Sequence, residues 1–405
     1  MDAYIDLIKL AVIFAVIVAV IAFKRPLYLA LLSGIAATAL LYLISPGQSL
    51  VLIWQVLSNW SGMSLLVILY SITFLQRILE RRSQIKLAQQ DLNGLFNNRR
   101  INTSIAPLFI GLLPSAAAMI LCGDIVREST EGHLDKGEQA FVTSWFRHIP
   151  ESTLPTYSSV LLMCTLAGVP ISRFIPGMIV PVILMFFIGY VLYIRKIPKE
   201  TGSPPSKNKA KDAVNLVKHL WSLLLILVLI LGFGLPVVVS ILIVIFLALI
   251  VYRFTWAEVK PMFRDAFEIR MILNTFLILI FKEFTGYTRV IYSLPEFFSG
   301  FPIPLYLVFA LLFFFGCVVS GTNSIIGLGT AMAFTAIPGA GVPLMVLLMG
   351  MCHAASQISP THVCLAVVTE YFDISMGTLV RKSLPGVLIF CAVLIGYYHL
   401  LLLIT

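Results

Sequence analysis

Apolar runs long enough to cross roughly 30 Å of hydrocarbon recur along the chain, at 7–23, 27–46, 61–79, 141–165, 177–193, 217–234, 236–252, 270–288, 343–371 and 384–404. They read as membrane-spanning helices. Two further apolar regions, 101–126 and 302–337, each have two limbs of about a dozen residues, too short to cross alone, around a small-residue tip. These are predicted as re-entrant hairpins, with tips at PSAAAM (114–119) and SGTNSI (320–325). Segment 81–100, RRSQIKLAQQDLNGLFNNRR, sets Ile85, Ala88, Leu92, Leu95 and Phe96 on one helical face opposite basic and amide groups, which predicts an interfacial helix. Segment 253–268 reads more weakly, as a cytoplasmic connector. The fold class that follows is an all-α polytopic membrane protein.

Composition agrees: with 59% hydrophobic and 12% charged residues, a soluble domain of this length is excluded. The opening MDAYIDLIKL lacks the basic start of a cleavable signal peptide, so the first run is expected to remain as a helix. The six cysteines, Cys122, Cys164, Cys317, Cys352, Cys364 and Cys391, lie in apolar segments without a CxxC or paired Cys/His spacing. They read as packing residues, and neither disulfides nor a zinc site are implied. The net charge of +9 sits in loops beside the spans, a pattern that reports topology and gives no case for nucleic acid. Lys24 and Arg25, the Arg77 to Arg100 cluster, and RKIPKETGSPPSKNKAK at 195–211 mark cytoplasmic loops. The N-terminus is then outside, in a chain that crosses the cytoplasmic membrane. The 195–211 stretch lies in a linker, 194–216, between halves 1–193 and 217–405.

The halves carry a repeat. HIPESTLPTY at 148–157 is answered by HAASQISPTH at 353–362, with His353 and Pro360-Thr361 standing 205 residues after His148 and Pro155-Thr156. The same offset pairs FIGLLPSAAAMI with FFGCVVSGTNSI. Because the linker is cytoplasmic and the first half begins outside, corresponding spans must run in opposite directions. Two inverted repeats are predicted, each of about five transmembrane helices plus one re-entrant hairpin, with binding sites near the bilayer midplane.

Pro150, Pro155 and Pro360 remove backbone donors and disfavour helix before them, so the helices at 141–165 and 343–371 are predicted to break. Non-helical backbone at this depth must line a cavity. Freed carbonyls and the hydroxyls of Ser152, Thr153, Thr156, Ser356, Ser359 and Thr361 suit Na+ or the oxygens of a substrate; a Na+ site is drawn at Ser152, Thr153, Ser359 and Thr361. Intramembrane ionisable groups are functional candidates by default. His148 and His353 are read either as proton-coupling or anion contacts, or as neutral braces on a carbonyl. Glu151, whose repeat mate is Ser356, is read either as a proton or Na+ carrier or as an ion pair with Arg147. Gln357 and His362 complete the ion-coupling set. At the hairpin tips, helix N-termini attract anionic oxygens, which nominates Ser115, Ser320, Gly321, Thr322, Asn323 and Ser324. Gly321, Gly327 and Gly329 equally fit close helix packing.

On these tips and broken helices the chain resembles the ion transporter superfamily, which includes gluconate permeases, divalent-anion/sodium symporters and citrate transporters. Within it, the chain is most similar to an uncharacterised family of microbial integral-membrane proteins. The resemblance implies that hairpins and unwound helices hold an organic anion with Na+ or H+. It further implies an elevator-like transport subdomain moving past a scaffold, and a homodimer. The Ser-Asn-Thr tip signature of the dicarboxylate branch is absent: the second tip reads Ser-Gly-Thr-Asn and the first Pro-Ser-Ala-Ala.

The leading expectation is secondary active transport of a small carboxylate-type anion, with Na+ or H+ as coupling ion and no other cofactor. A Na+/H+ antiporter is the alternative. An intramembrane hydrolase with a Ser320–His353 dyad is the remote one; no HExxH zinc motif and no GxxxxGK[ST] sequence occur.

Overall fold

The computed structural model describes residues 2–23, 25–96, 98–112, 118–200, 208–290 and 302–404. Among these residues the regular structure is helical, with no strand, as lipid requires of backbone whose N–H and C=O groups must be paired within the segment. The protein is an all-α multi-pass membrane protein. The first half contains α1 (Asp2–Ala22), α2 (Leu27–Leu41), α3 (Pro46–Ser58), α4 (Trp60–Arg81), α5 (Gln84–Phe96), α6 (Arg99–Ile110), α7 (Ala118–Thr130), α8 (Lys136–His148), α9 (Ser158–Ala167) and α10 (Ile171–Leu192). The second contains α11 (Lys209–Leu227), α12 (Val237–Val251), α13 (Trp256–Asp265), α14 (Ile269–Tyr287), α15 (Leu305–Ser320), α16 (Thr322–Ala336), α17 (Gly341–Ser356), α18 (Val363–Phe372) and α19 (Met376–Ile404). Helices α8 and α17, α9 and α18, and α10 and α19 each begin 205 residues apart.

Prolines set several starts. Pro26, Pro170, Pro236 and Pro304 stand immediately before α2, α10, α12 and α15, where a missing N–H costs nothing and a fixed φ suits the first turn. Not every apolar run forms one spanning helix. Among the described residues, Gly62–Arg81, Ile171–Leu192, Lys209–Gly232 and Met376–Ile404 are long and apolar enough to cross alone. The run at 27–46 stops at Leu41, and α3 follows, an element the apolar pattern left out. Its start is encoded nonetheless: Ser45 Oγ accepts from Gln48 N at 3.2 Å, with Pro46 in the first turn.

Segment 81–100 contains a helix distinct from α4. A turn at Ser83, φ 49°, separates α4 from α5, and α5 lies along α11. Ala88 is fully buried, and Asp91 bonds His219 of α11. An amphipathic pattern fixes which face is covered but not what covers it; here a protein helix does. The 253–268 stretch forms α13, started by a reciprocal Thr255–Glu258 capping box.

The principal packing falls into two groups, α1–α5 with α11–α14 and α6–α10 with α15–α19. They meet where α5 packs on α6, α4 touches α9 and α14 touches α16. Within the second group the halves interlock: α9 packs on α16 and α18 on α7.

Candidate functional site

Helix α8 ends at His148 because Pro150 has no N–H to continue the ladder. A single 3-10 turn, Ile149–Ser152, follows, closed by Thr153 N and Leu154 N donating to Pro150 O at 3.1 and 3.0 Å. The backbone is then non-helical until α9 begins at Ser158. Tyr157 OH donates to Gly111 O and Thr156 Oγ1 to Leu112 O at 3.5 Å, which ties the interruption to the end of α6. In the second half α17 ends at Ser356 and α18 begins at Val363. There Ser359 Oγ donates to Val318 O at 2.8 Å near the end of α15, and it lies 2.8 Å from Thr361 Oγ1. Each interruption is therefore hydrogen-bonded to the corresponding limb of its own half.

The two interruptions meet. His148 Nε2 and His362 Nε2 are 3.0 Å apart, and Ser144 Oγ donates to Gln357 Oε1 at 3.4 Å. Helix α16 joins them through Asn323 Nδ2, which donates to Ser158 Oγ at 3.4 Å. Between these elements lies a cavity of about 10 Å³ lined by Glu151, Ser152, Ser159, Thr322, Met349, His353 and Ser356. That is room for roughly one water molecule and too little for a carboxylate-bearing solute.

Charge is concentrated on one side. Arg147, 2% exposed, holds its Nη1 3.6 Å from Glu151 Oε2, and His148 Nε2 lies 3.7 Å from the same oxygen. A buried guanidinium needs such a carboxylate, because removing either partner leaves an uncompensated charge. Neither contact reaches hydrogen-bonding distance. Glu151 Oε2, Thr153 Oγ1, His353 Nε2 and Gln357 Nε2 are buried and lack a hydrogen-bond partner among the described residues. Buried unpaired polar atoms cost about 1–3 kcal/mol each, and four on two adjoining interruptions mark a place built for something other than packing.

The sequence-nominated residues divide. Glu151, Ser152, Thr322 and His353 come together on the cavity. Ser359 and Thr361 bond one another and are not among its lining residues, so the four-hydroxyl Na+ set does not converge there. The repeat mates His148 and His353 occupy different surroundings: His148 faces His362, whereas His353 lies between the rings of Trp145 and Phe390. Ser320 Oγ donates to Gly316 O of its own helix at 2.8 Å, and the cavity beside His353 is lined by Thr322 instead, so the dyad of a hydrolase is not assembled. Gly321 joins α15 to α16 at φ 83°, ψ 162°, while Ser324 is buried in α16. Ser115 lies outside the described residues.

Three residues were not found by sequence. Ser144 is one turn before His148, and Ser159 lies in the first turn of α9; both are ordinary hydroxyls whose repeat mates carry none, since Met349 and Cys364 stand 205 residues on. The third is Cys364 itself. No zinc site was implied by cysteine spacing, yet the metal-ligating atoms of His148, His362 and Cys364 all lie within 4.8 Å of one another. Only the close His-x-Cys spacing of His362 and Cys364 was a local signal; His148 joins them through the fold.

No curated protein matches the chain. Among solved structures, the crystal structure of the Alcanivorax borkumensis YdaH transporter is similar, with a TM-score of 0.59 at 14% identity, covering 89% of each chain. That likeness is one of fold. Residues 7–402 match a single family over nearly the whole length. The chain belongs to the family described as "Protein of unknown function (DUF401)".

Proposed function

We propose that this protein is a secondary active transporter that carries a small carboxylate-type organic anion across the cytoplasmic membrane, coupled to Na+ or H+. One observation carries the reading. Two helix interruptions distant in sequence abut, His148 against His362 and Ser144 against Gln357, beside a cavity lined by an acid, a histidine and three hydroxyls besides the Thr322 at the start of α16 — Ser152, Ser159 and Ser356. Interrupted helices at a repeat interface are how secondary transporters bind ions and anions away from water. In this reading the halves are inverted and α6–α7 and α15–α16 are re-entrant hairpins, as in the ion transporter superfamily. The group α6–α10 with α15–α19 is the moving body, and α1–α5 with α11–α14 is the scaffold of a homodimer. The N-terminus is outside and the 195–211 loop cytoplasmic.

Roles follow from chemistry. Thr322, with the unpaired N–H groups at the start of α16, and His353 Nε2 receive the carboxylate. Glu151 with Ser152 takes the coupling ion. Because the cavity is smaller than any such anion, loading requires α16 to part from α9, across the Asn323–Ser158 bond of 3.4 Å.

Counterflow in proteoliposomes tests this: preloaded unlabelled anion should drive uptake of its labelled form, and Glu151→Gln should remove the dependence on Na+ or pH. Absence of exchange across a broad carboxylate panel contradicts the reading. The single-water size of the cavity, with Glu151 as its one acid, favours a Na+/H+ antiporter as the second reading. Acidification of vesicles by added Na+ without organic solute distinguishes it.

A further inference from the structure

We infer that His148, His362 and Cys364 form a binding site for a soft divalent transition-metal ion of the Zn2+ class. The ligand atoms of the first three lie within 4.8 Å of one another, and the His148 and His362 Nε2 atoms are 3.0 Å apart. A tetrahedral zinc ion with Zn–N bonds of about 2.0–2.1 Å needs nitrogens roughly 3.3–3.4 Å apart, a spacing reached by a few tenths of an ångström of ring movement. Glu151 Oε2 stands 3.7 Å from His148 Nε2 but outside the set of mutually close ligand atoms, which leaves the fourth corner open to a water or solute oxygen.

The outer contacts agree. His148 Nδ1 lies 2.7 Å from Ser144 O, so Nδ1–H donates to that carbonyl and Nε2 presents its lone pair to the cluster. This is the arrangement that orients a metal-ligating histidine. The tautomer follows from the hydrogen-bond network. Mixed imidazole and thiolate donors select zinc-like ions over Mg2+ or Ca2+. Cys364 as thiolate and Glu151 supply two negative charges against one positive charge on Arg147, 3.6 Å from Glu151. Access is from the side of Glu151, which is 23% exposed, and of the partly buried His362. The competing arrangement is a plain hydrogen bond in which His362 Nε2–H donates to His148 Nε2. It does not use the Cys364 thiol, which lies within 4.8 Å of both ring nitrogens.

The ligands come from both halves: His148 ends α8 before the first interruption, and His362 and Cys364 stand at the start of α18 after the second. A bound ion therefore holds the two halves together at the proposed transport site. This inference rests on that reading only for its consequence; the ion site itself stands on geometry.

Full-length protein, purified in detergent and stripped with a chelator, is titrated with Co2+ and then Zn2+. The site predicts one tightly bound Co2+ with tetrahedral visible bands and a thiolate-to-cobalt charge-transfer absorption, both displaced by Zn2+. Cys364→Ser should abolish the charge-transfer band. His362→Ala and His362→Gln should each weaken binding by more than about 100-fold, beyond what loss of an outer contact costs. Cys164→Ser, at a buried cysteine outside the cluster, should leave the spectrum unchanged. Each variant is compared at equal monodispersity on gel filtration. A Co2+ complex without the charge-transfer band, or unchanged affinity in both folded His362 variants, overturns the site. Counterflow without added metal judges transport separately: anion exchange by a protein that ignores Co2+ removes the metal site alone, and Co2+ binding without exchange removes transport alone.

Discussion

Gly321 is the residue on which the second hairpin turns. Its φ of 83° and ψ of 162° lie in a region open essentially to glycine. Gly321→Ala should destabilise the protein by about 1–3 kcal/mol, read as a lower midpoint in thermal unfolding; an unchanged midpoint contradicts the strain. Glu151 carries coupling in the proposed function; its Oε2 lies 3.6 Å from Arg147 Nη1 and accepts no hydrogen bond from any described residue. Glu151→Gln should preserve anion binding while flattening its response to Na+ and pH; a variant as responsive as wild type removes Glu151 from that role. Local signals made these positions legible. Proline removes a donor wherever it stands, so the interruption at 149–157 follows from Pro150 and Pro155 alone. Pairings across the fold were not legible: repeat symmetry joins His148 to His353, whereas packing joins His148 to His362.

Among the helices, α3 and α5 show where a pattern of apolar residues stops informing. The start of α3 lies in Ser45 and Pro46 rather than in its apolar face, and α5 packs along α11. Helix α13 is bound to the first half through Glu258, which accepts from Arg82 Nη1 at 2.9 Å and Arg82 Nη2 at 3.3 Å. With its capping contacts at Thr255, this pair lowers the Glu258 pKa from 4.5 to about 2. A depressed carboxylate pKa means stability that is complete above the unfolded value and lost as pH falls through the folded one. Glu258→Gln should therefore unfold at a lower temperature than wild type at neutral pH, with the difference closing between pH 4.5 and about pH 2. The effect is small because the pair is part-exposed, and a gap that is constant over that range contradicts it.

The molecule as a whole divides into two packed groups of helices, and the seam between them is tight where α16 crosses α14: a Cβ on Gly327 would stand 2.6 Å from Ile278 Cδ1. If the groups slide past one another during transport, Gly327→Leu should cut the exchange rate at least tenfold while leaving anion-induced stabilisation intact. Equal rates contradict a moving seam. The 205-residue offset was legible because His148, Pro155 and Thr156 recur at it, and three pairs of helix starts follow it. The grouping of helices was not, since it depends on contacts between segments far apart in the chain.

The most direct measurement is thermal unfolding of the purified protein across a panel of metabolite anions, with and without Na+. An anion at 100 times its Kd stabilises the folded state by about 2.7 kcal/mol. The account predicts a rise in midpoint with at least one carboxylate, lost in Thr322→Val and His353→Ala. No rise with any anion, or an equal rise in both variants, contradicts a substrate site between the two interruptions.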